Sequence, residues 1–333
     1  MKEIMQREIA ITLVKDTFSR LLCDYLHLSK VSSPLIVLDG TGVNDDLNSI
    51  ERPVAFPIKS LNEQRAVVVH SLAKWKRLRL KQLEVEAGRG ILTDMRALRP
   101  DEDYSPIHSI YVDQWDWEKH ITATDRNLSF LKETVSAIYE ALKETEQIIA
   151  QHYPELPPVL PKSIHFIHAE ELLQKYPTLT PKERENAAAK EFGAIFIMGI
   201  GATLTHGEAH DGRAADYDDW STQNEDGYFG LNGDIIVWHP ALQSAFEISS
   251  MGIRVDKLAM NVQLAEKNMV DKKALPFHKM LLAGELTESI GGGIGQSRLC
   301  MYMLKKTHIG EVQVSVWSEE VRKQMEAQGV TLL

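Results

Sequence analysis

A chain that mixes helices and strands, an α+β fold, is what the sequence predicts, and two observations carry that reading. Thr122–Gln151 puts Leu128, Leu131, Val135, Ile138 and Leu142 on one helical stripe. His108–Trp117 alternates with a period of two, with Ile110, Val112, Gln114 and Asp116 on one face and Tyr111, Asp113, Trp115 and Trp117 on the other. The 333 residues are 44% hydrophobic and 25% charged, which is ordinary globular composition. The length would permit two domains but also suits one, residues 1–333, around a single core.

Taken in order, Gln6–Leu26 has helical spacing at Ile9, Leu13, Val14, Phe18, Leu21, Leu22 and Tyr25. Val31–Leu38 follows as a short strand, and Pro34 inside it predicts an edge or interface position. Ala66–Val69 reads as a strand and Leu72–Leu83 as a basic helix, whose run Lys74–Lys81 is expected to be a solvated face. Gly88–Gly90 breaks the chain. The long helix ends before Pro154, Pro157, Pro158 and Pro161, read as a surface crossing because chemistry-bearing residues flank it on both sides. Ile164–His168, Ala194–Gly199, Asp234–Trp238 and Ala245–Ser249 are further strands, and Leu299–Leu304 opens a helix.

Charge and cysteine content narrow the function. A net charge of −10 disfavours nucleic-acid binding, because proteins that grip phosphate backbones are usually basic. Cys23 and Cys300 are too few for a disulfide framework and read as buried thiols of a cytoplasmic protein. Lys2, Glu3, Arg7 and Glu8 stand where an export signal needs apolar residues, and the apolar run near Phe192–Ile200 is too short to span a bilayer.

Three constellations carry chemistry. Gly291-Gly292-Gly293-Ile294-Gly295-Gln296-Ser297-Arg298 precedes an apolar helix; close glycines let a backbone lie against a base or phosphate, and Arg298 on the first turn can meet a phosphate. It is neither a P-loop, which ends Gly-Lys-Ser/Thr, nor a dinucleotide fingerprint, which needs glycine at Gln296 and a preceding strand. The competing reading is a glycine hinge. Next, Arg99-Pro100-Asp101-Glu102-Asp103 leads into the strand carrying Gln114 and Asp116 on one face, able to hold one ligand together; a solvated turn and an edge strand are the alternative. Finally, Asp234 and Glu247 sit in apolar runs on successive strands, where carboxylates are rarely unpaired. They suit either Mg²⁺ facing a triphosphate or a structural salt bridge. His206-Gly207-Glu208-Ala209-His210-Asp211 lacks the Glu that a zinc helix places directly after its first His, and reads as a mobile polar loop.

The helix followed by Pro34, the Arg99 loop and the glycine run ending at Arg298 resemble, in order, the three motifs of class II aminoacyl-tRNA synthetases. Ser71…Lys76, Arg99-x-x-Glu102-Asp103, Gln114-x-Asp116-x-Glu118 and Glu247…Arg254 look like an aspartyl-tRNA synthetase core. The likeness to aspartate–ammonia ligases is closer and covers nearly the whole chain. It includes His70–Lys76, Ala97–Asp103, Tyr111–Glu118, Asp216–Thr222 and Ile290–Arg298. No further module of the size and charge of an anticodon-binding domain is expected.

That resemblance implies a mostly antiparallel class II sheet flanked by helices, a homodimer formed around Pro34, and amidation of L-aspartate by ammonia. ATP is the co-substrate, Mg²⁺ the metal, and β-aspartyl-AMP the intermediate. By the same resemblance, Arg99 stabilises the α-phosphate, Ser109, Asp218 and Gly293 adjoin the nucleotide, and Arg298 holds the far phosphates. Asp218 also adjoins the reacting centre. Ser71, Gln114 and Asp116 take the α-ammonium of aspartate, with Ser250 beside them, and Lys76 and Arg254 take the carboxylate that is not activated. Asp45 is the residue expected to attract ammonium and remove a proton. Glutamine is not expected as donor, since neither cysteine resembles an activated nucleophile. Two other readings are an aspartyl-adenylate former that charges a tRNA or a protein lysine, and an inactive regulatory paralogue; the presence of Arg99, Glu247 and Arg298 opposes the second.

Overall fold

The computed structural model describes residues 2–47 and 51–333. Helix α1 spans Lys2–Leu26 and strand β1 Leu28–Lys30; β2 (Ile36–Leu38), β3 (Ala55–Ile58) and β4 (Gln64–Val68) follow. After α2 (Ala73–Gln82) come β5 (Gly90–Leu98), β6 (Tyr111–His120) and α3 (Leu128–His152). Then come β7 (His165–His168), α4 (Ala169–Lys175), α5 (Pro181–Phe192) and β8 (Ala194–Met198). The long hairpin β9 (Asn232–His239) and β10 (Ser244–Ile253) precedes α6 (Lys257–Glu266) and α7 (Pro276–Leu282). Strand β11 (Ser289–Gly295), α8 (Gln296–Met303) and α9 (Glu319–Ala327) complete the chain order.

Eight strands form one sheet in the order β1-β5-β6-β11-β10-β9-β8-β7, antiparallel except where β1 joins β5 and β7 joins β8. The predicted mostly antiparallel α+β sheet flanked by helices is therefore present. A second, small sheet runs β2-β4-β3. The core fills one face of the large sheet. Val14, Phe18 and Leu22 of α1, Leu131, Val135 and Ile138 of α3, and Leu299–Met303 of α8 pack there against Trp115, Trp117, Ile235 and Ile290. Helices α4 and α5 cover β7 and β8 through Leu172, Ala188 and Ala189. The opposite face of β6, β10 and β11 is left for the polar residues, which is what positions the site.

Several local expectations change. Pro34 lies between β1 and β2, because a residue without N–H interrupts a ladder more readily than it joins one. Helix α3 begins at Leu128, since the Asn127 side chain accepts from Phe130 N–H at 2.8 Å and caps it there; Thr122 and Asp125 close a separate turn. Gly90 is not a break but the first residue of β5, where a Cβ would lie 2.4 Å from the Glu118 carbonyl oxygen. The glycine run is not a hinge: it forms β11, paired with β6 and β10.

The basic face of α2 is not solvated. Lys74 pairs with Asp216 at 2.8 Å, Lys76 with Asp116, and Arg77 donates to the carbonyls of Val255 and Thr287 at 2.6 and 2.9 Å; all three are buried. Only buried acids and carbonyls make such placement tolerable. Cys300 is buried, and burial raises its thiol pKa to about 12, but Cys23 is only partly buried. The segment His206–Asp211 is a turn-rich loop whose His210 is buried against Glu185 at 3.2 Å. No helix among the described residues is long and apolar enough to cross a membrane.

Candidate active site

Pleat alternation builds the floor of the site. On β6, Gln114 and Asp116 point away from the core that holds Trp115 and Trp117, and both line a polar cavity of about 440 Å³. Beyond the cavity wall, Glu118 continues the same face. The neighbouring strand supplies glycine opposite these side chains: Gly293 pairs with Asp116 and Gly291 with Glu118. A Cβ on Gly291 would sit 2.0 Å from Glu118 Oε2, and one on Gly293 2.6 Å from Gln114 Oε1. The space a β11 side chain would need is already occupied by the acids and amide of β6.

Strand β10 supplies the other wall. A bulge between Glu247 and Ser249 inserts one residue against β9. Glu247, Ser250 and Arg254 all reach the cavity as a result, although regular alternation would send Glu247 and Ser250 to opposite faces. Arg254 donates to both oxygens of Glu118, at 2.8–3.1 Å, and to Asp218. Ser289 Oγ adds a fourth contact to Glu118 at 2.7 Å. Burial disfavours the charged form of Glu118, yet the Arg254 guanidinium outweighs it and holds the carboxyl below its ordinary pKa. Lys76, fully buried, donates to Asp116 and to the Gly292 carbonyl at 2.9 Å; desolvation lowers its pKa despite Asp116.

Three buried polar atoms of cavity-lining residues have no hydrogen-bond partner: Arg99 Nε and Arg213 Nε, both donors, and Asp116 Oδ2, an acceptor. Arg99 enters from the end of β5, with its NH2 3.2 Å from the His70 carbonyl. Arg298, on the first turn of α8, pairs with Glu247 at 3.5 Å and donates to His108 Nε2 at 2.7 Å. That bond requires a neutral ring, and burial followed by the Arg298 charge lowers the His108 pKa to about 4. Asp45 closes another side, accepting from Ser71 Oγ at 2.9 Å and from Leu47 N–H at 3.0 Å. Ser109 lines the cavity, and its one hydroxyl hydrogen has two acceptors in reach, Gln313 Oε1 at 2.5 Å and the Tyr111 carbonyl at 2.9 Å.

Thirteen of the residues named from the sequence therefore meet at one cavity: Asp45, Ser71, Lys76, Arg99, Ser109, Gln114, Asp116, Asp218, Glu247, Ser250, Arg254, Gly293 and Arg298. Asp234 lies just behind, bonded to Arg213 at 2.6 Å, and Arg213 also donates to Ser250. Burial and then the Glu247 charge raise Asp234 to a pKa of about 6 despite Arg213. Arg213, Tyr217, His108 and Gln313 also line the cavity but were not singled out as site residues. Arg213 follows the loop Asp211-Gly212, where a lone arginine after glycine carries no distinguishing signal. Gln313 meets Ser109 across 204 positions of sequence, and no local pattern reports such a contact.

The comparisons decide the family. The model of the aspartate-ammonia ligase family matches residues 5–329. The chain belongs to the aspartate–ammonia ligase family. An aspartate–ammonia ligase of Parabacteroides distasonis is 56% identical over 330 residues, covering 99% of this chain and 96% of that protein. One of Clostridium perfringens is 52% identical over 330 residues with the same coverage. Among solved structures, the asparaginyl-tRNA synthetase of Pyrococcus horikoshii complexed with asparaginyl-adenylate superposes with a TM-score of 0.66 at 16% identity, covering 92% of this chain and 68% of that one. A putative aspartyl-tRNA synthetase of Leishmania major gives 0.59 at 15%, covering 93% and 64%. The family thus carries its residues on an aminoacyl-tRNA synthetase fold.

Proposed function

We propose that this chain amidates L-aspartate with ammonia, consuming ATP and releasing AMP and pyrophosphate through β-aspartyl-AMP. The observation that carries the reading is that one cavity lining holds two unpartnered buried atoms of opposite kind, Arg99 Nε and Asp116 Oδ2, a donor suited to phosphate and an acceptor suited to an ammonium group. Aspartate binds with its α-ammonium at Asp116, Gln114 and Ser71 and its α-carboxylate at Lys76 and Arg254. Its β-carboxylate then faces the nucleotide. ATP lies along Ser109, Asp218 and Gly293 with its outer phosphates at Arg298.

In the first step a β-carboxylate oxygen attacks the α-phosphorus and pyrophosphate leaves with the bond's electron pair. Arg99 stabilises the charge that builds on the α-phosphoryl oxygens. In the second step Asp45 draws ammonium in and takes one proton. The free amine attacks the β-carbonyl carbon, AMP leaves, and a second proton is lost to give the amide. Hydroxide would be a poor leaving group here and AMP is a good one, which is why adenylation comes first.

Asp234 and Glu247 fit a hard cation: both donors are oxygens, on adjacent strands, and close enough that the charge of Glu247 helps raise the pKa of Asp234. Mg²⁺ held there would neutralise phosphate charge. The exposed apolar residues Leu35, Ile36 and Phe56, beside Pro34 and on the small sheet, support a homodimer built on that surface, and two-fold dimers are the commonest oligomers. A monomeric mass by light scattering at full activity would count against it. Two cysteines that remain free thiols suit a reducing, cytoplasmic setting.

The deciding assay supplies aspartate, ATP, Mg²⁺ and ammonium and measures asparagine and nucleotide. Asparagine appears with an equal amount of AMP, and glutamine does not replace ammonium. ADP formed in step with asparagine would mean an acyl-phosphate route and would overturn the mechanism.

A further inference from the structure

Outside the cavity, a second buried charge cluster has no place in the mechanism above. Asp216 is 1% exposed and receives Lys74 at 2.8 Å and His278 Nε2 at 3.0 Å on one oxygen, with Lys272 at 3.6 Å. Lys272 also reaches Asp46 at 2.6 Å. Asp46 adjoins Asp45, so a single ammonium bridges the loop that carries Asp45 to a buried anchor. The attachment is reinforced in two places: Phe277 N–H donates to the Thr41 carbonyl at 3.1 Å, and Gly42 lies so close to His278 that a Cβ would come within 2.9 Å of Nδ1.

The other end of the anchor also touches the site. Asp216 immediately precedes Tyr217 and Asp218, both on the cavity wall. The negative charge of Asp45 reaches the Tyr217 hydroxyl, where, after burial, it is the next largest cause of the raised pKa. Lys272 therefore joins two segments that meet across the corner where Asp45 stands, without lining the cavity itself. Its own burial, which would lower its pKa, is outweighed by Asp216, Asp46 and Asp45 together, so it stays charged.

We propose that Lys272 is a positioning residue for the amidation step: by tying Asp46 to Asp216 it fixes Asp45 where ammonium must bind. This rests on the assignment of Asp45 to ammonium. Adenylation turns on Arg99 and Arg298, which lie on other elements, and on Asp218, whose neighbour Asp216 keeps Lys74 and His278 as partners when Lys272 is lost. Loss of Lys272 is thus felt in the second half-reaction and not in the first.

The test separates the two halves. Aspartate-dependent exchange of pyrophosphate into ATP reads adenylation without ammonia; the KM for ammonium in asparagine synthesis reads the second step. Lys272→Met raises that KM about tenfold and leaves the exchange rate within about twofold, and Lys272→Arg restores most of the loss. Asp46→Asn, at a half-exposed position with little risk to folding, cuts the same bridge from its other end, gives the same split, and carries the test if Lys272→Met does not fold. An unchanged ammonium KM in Asp46→Asn or in folded Lys272→Met overturns the proposal, as does a parallel fall in exchange. Asp45→Asn is the reference. If it leaves the ammonium KM unchanged, the Asp45 assignment fails; if it raises the KM while the bridge variants do not, only the role of Lys272 fails.

Discussion

Glu118→Gln isolates the charge that holds together the end of the site where aspartate is proposed to bind. The carboxylate is fully buried and meets Arg254 through both oxygens at 2.8–3.1 Å, Ser289 at 2.7 Å and Lys76 at 4.0 Å. At an effective dielectric of about 20, unit charges roughly 4 Å apart attract by about 4 kcal/mol. The amide keeps the shape but turns one acceptor into a donor that faces a guanidinium. Relief of the carboxylate's own desolvation returns part of the loss, and removing one partner of a buried pair usually costs about 3–5 kcal/mol. We expect a net loss near 3 kcal/mol in urea unfolding followed by the fluorescence of the buried Trp115 and Trp117. Glu285→Gln, which breaks the exposed Lys81–Glu285 pair at 2.9 Å, is the control and costs under about 0.5 kcal/mol. The folded fraction of Glu118→Gln shows the aspartate KM raised about tenfold with the ATP KM unchanged, because Arg254 loses its support. A stability loss below about 1 kcal/mol, or one equal to the control, would refute the reasoning.

Arg99→Lys keeps the charge and loses the bidentate fork, so kcat falls by about 100-fold or more while thermal stability holds; a change under about threefold in single-turnover adenylation removes Arg99 from the phosphate. His108 gives a pH dependence whose sign is fixed. Its folded pKa of about 4 lies below the ordinary 6.5, so the unfolded chain takes up the proton first. Stability is complete above about pH 6.5 and is lost as pH falls toward 4, by roughly 1–3 kcal/mol after allowing for solvent at the half-buried ring. Urea midpoints of wild type and His108→Gln at pH about 7 and about 5 check this: the variant loses less on acidification, and equal losses would reject it.

The legible parts of the fold were those with a period. The stripe of α3 and the alternation of β6 follow from one repeated spacing each, and the alternation correctly put Gln114 and Asp116 opposite Trp115 and Trp117. Motif runs supplied many of the thirteen residues that meet at one cavity, because each run lies on or beside a strand or helix that borders it. Failures came where tertiary contact overrode local signal. Glycine at 90 and at 291–293 looks like chain punctuation, but here it permits close approach between paired strands. Lys74, Lys76 and Arg77 look like a solvent face, but their acids lie 142, 40 and 211 positions away, at Asp216, Asp116 and Glu288, with the last at 3.9 Å. Burial of a cation depends on partners that the local sequence does not contain.

A ligase that must hold two carboxylates, an ammonium group and a triphosphate needs many charges on one sheet face, and a regular sheet resists this. Alternation places only every second residue on that face, and side chains from three adjacent strands would crowd it. This chain meets both constraints with backbone devices. The bulge after Glu247 resets the alternation, so that Glu247, Ser250 and Arg254, at odd and even positions alike, all face the cavity. The glycines of β11 empty the middle strand, so that Gln114, Asp116 and Glu118 from one side and Arg254 from the other can meet across it. Neither device contributes a functional group. Each is required by the geometry of the groups that do, and the glycine run is therefore as diagnostic of the site as the arginines that flank it.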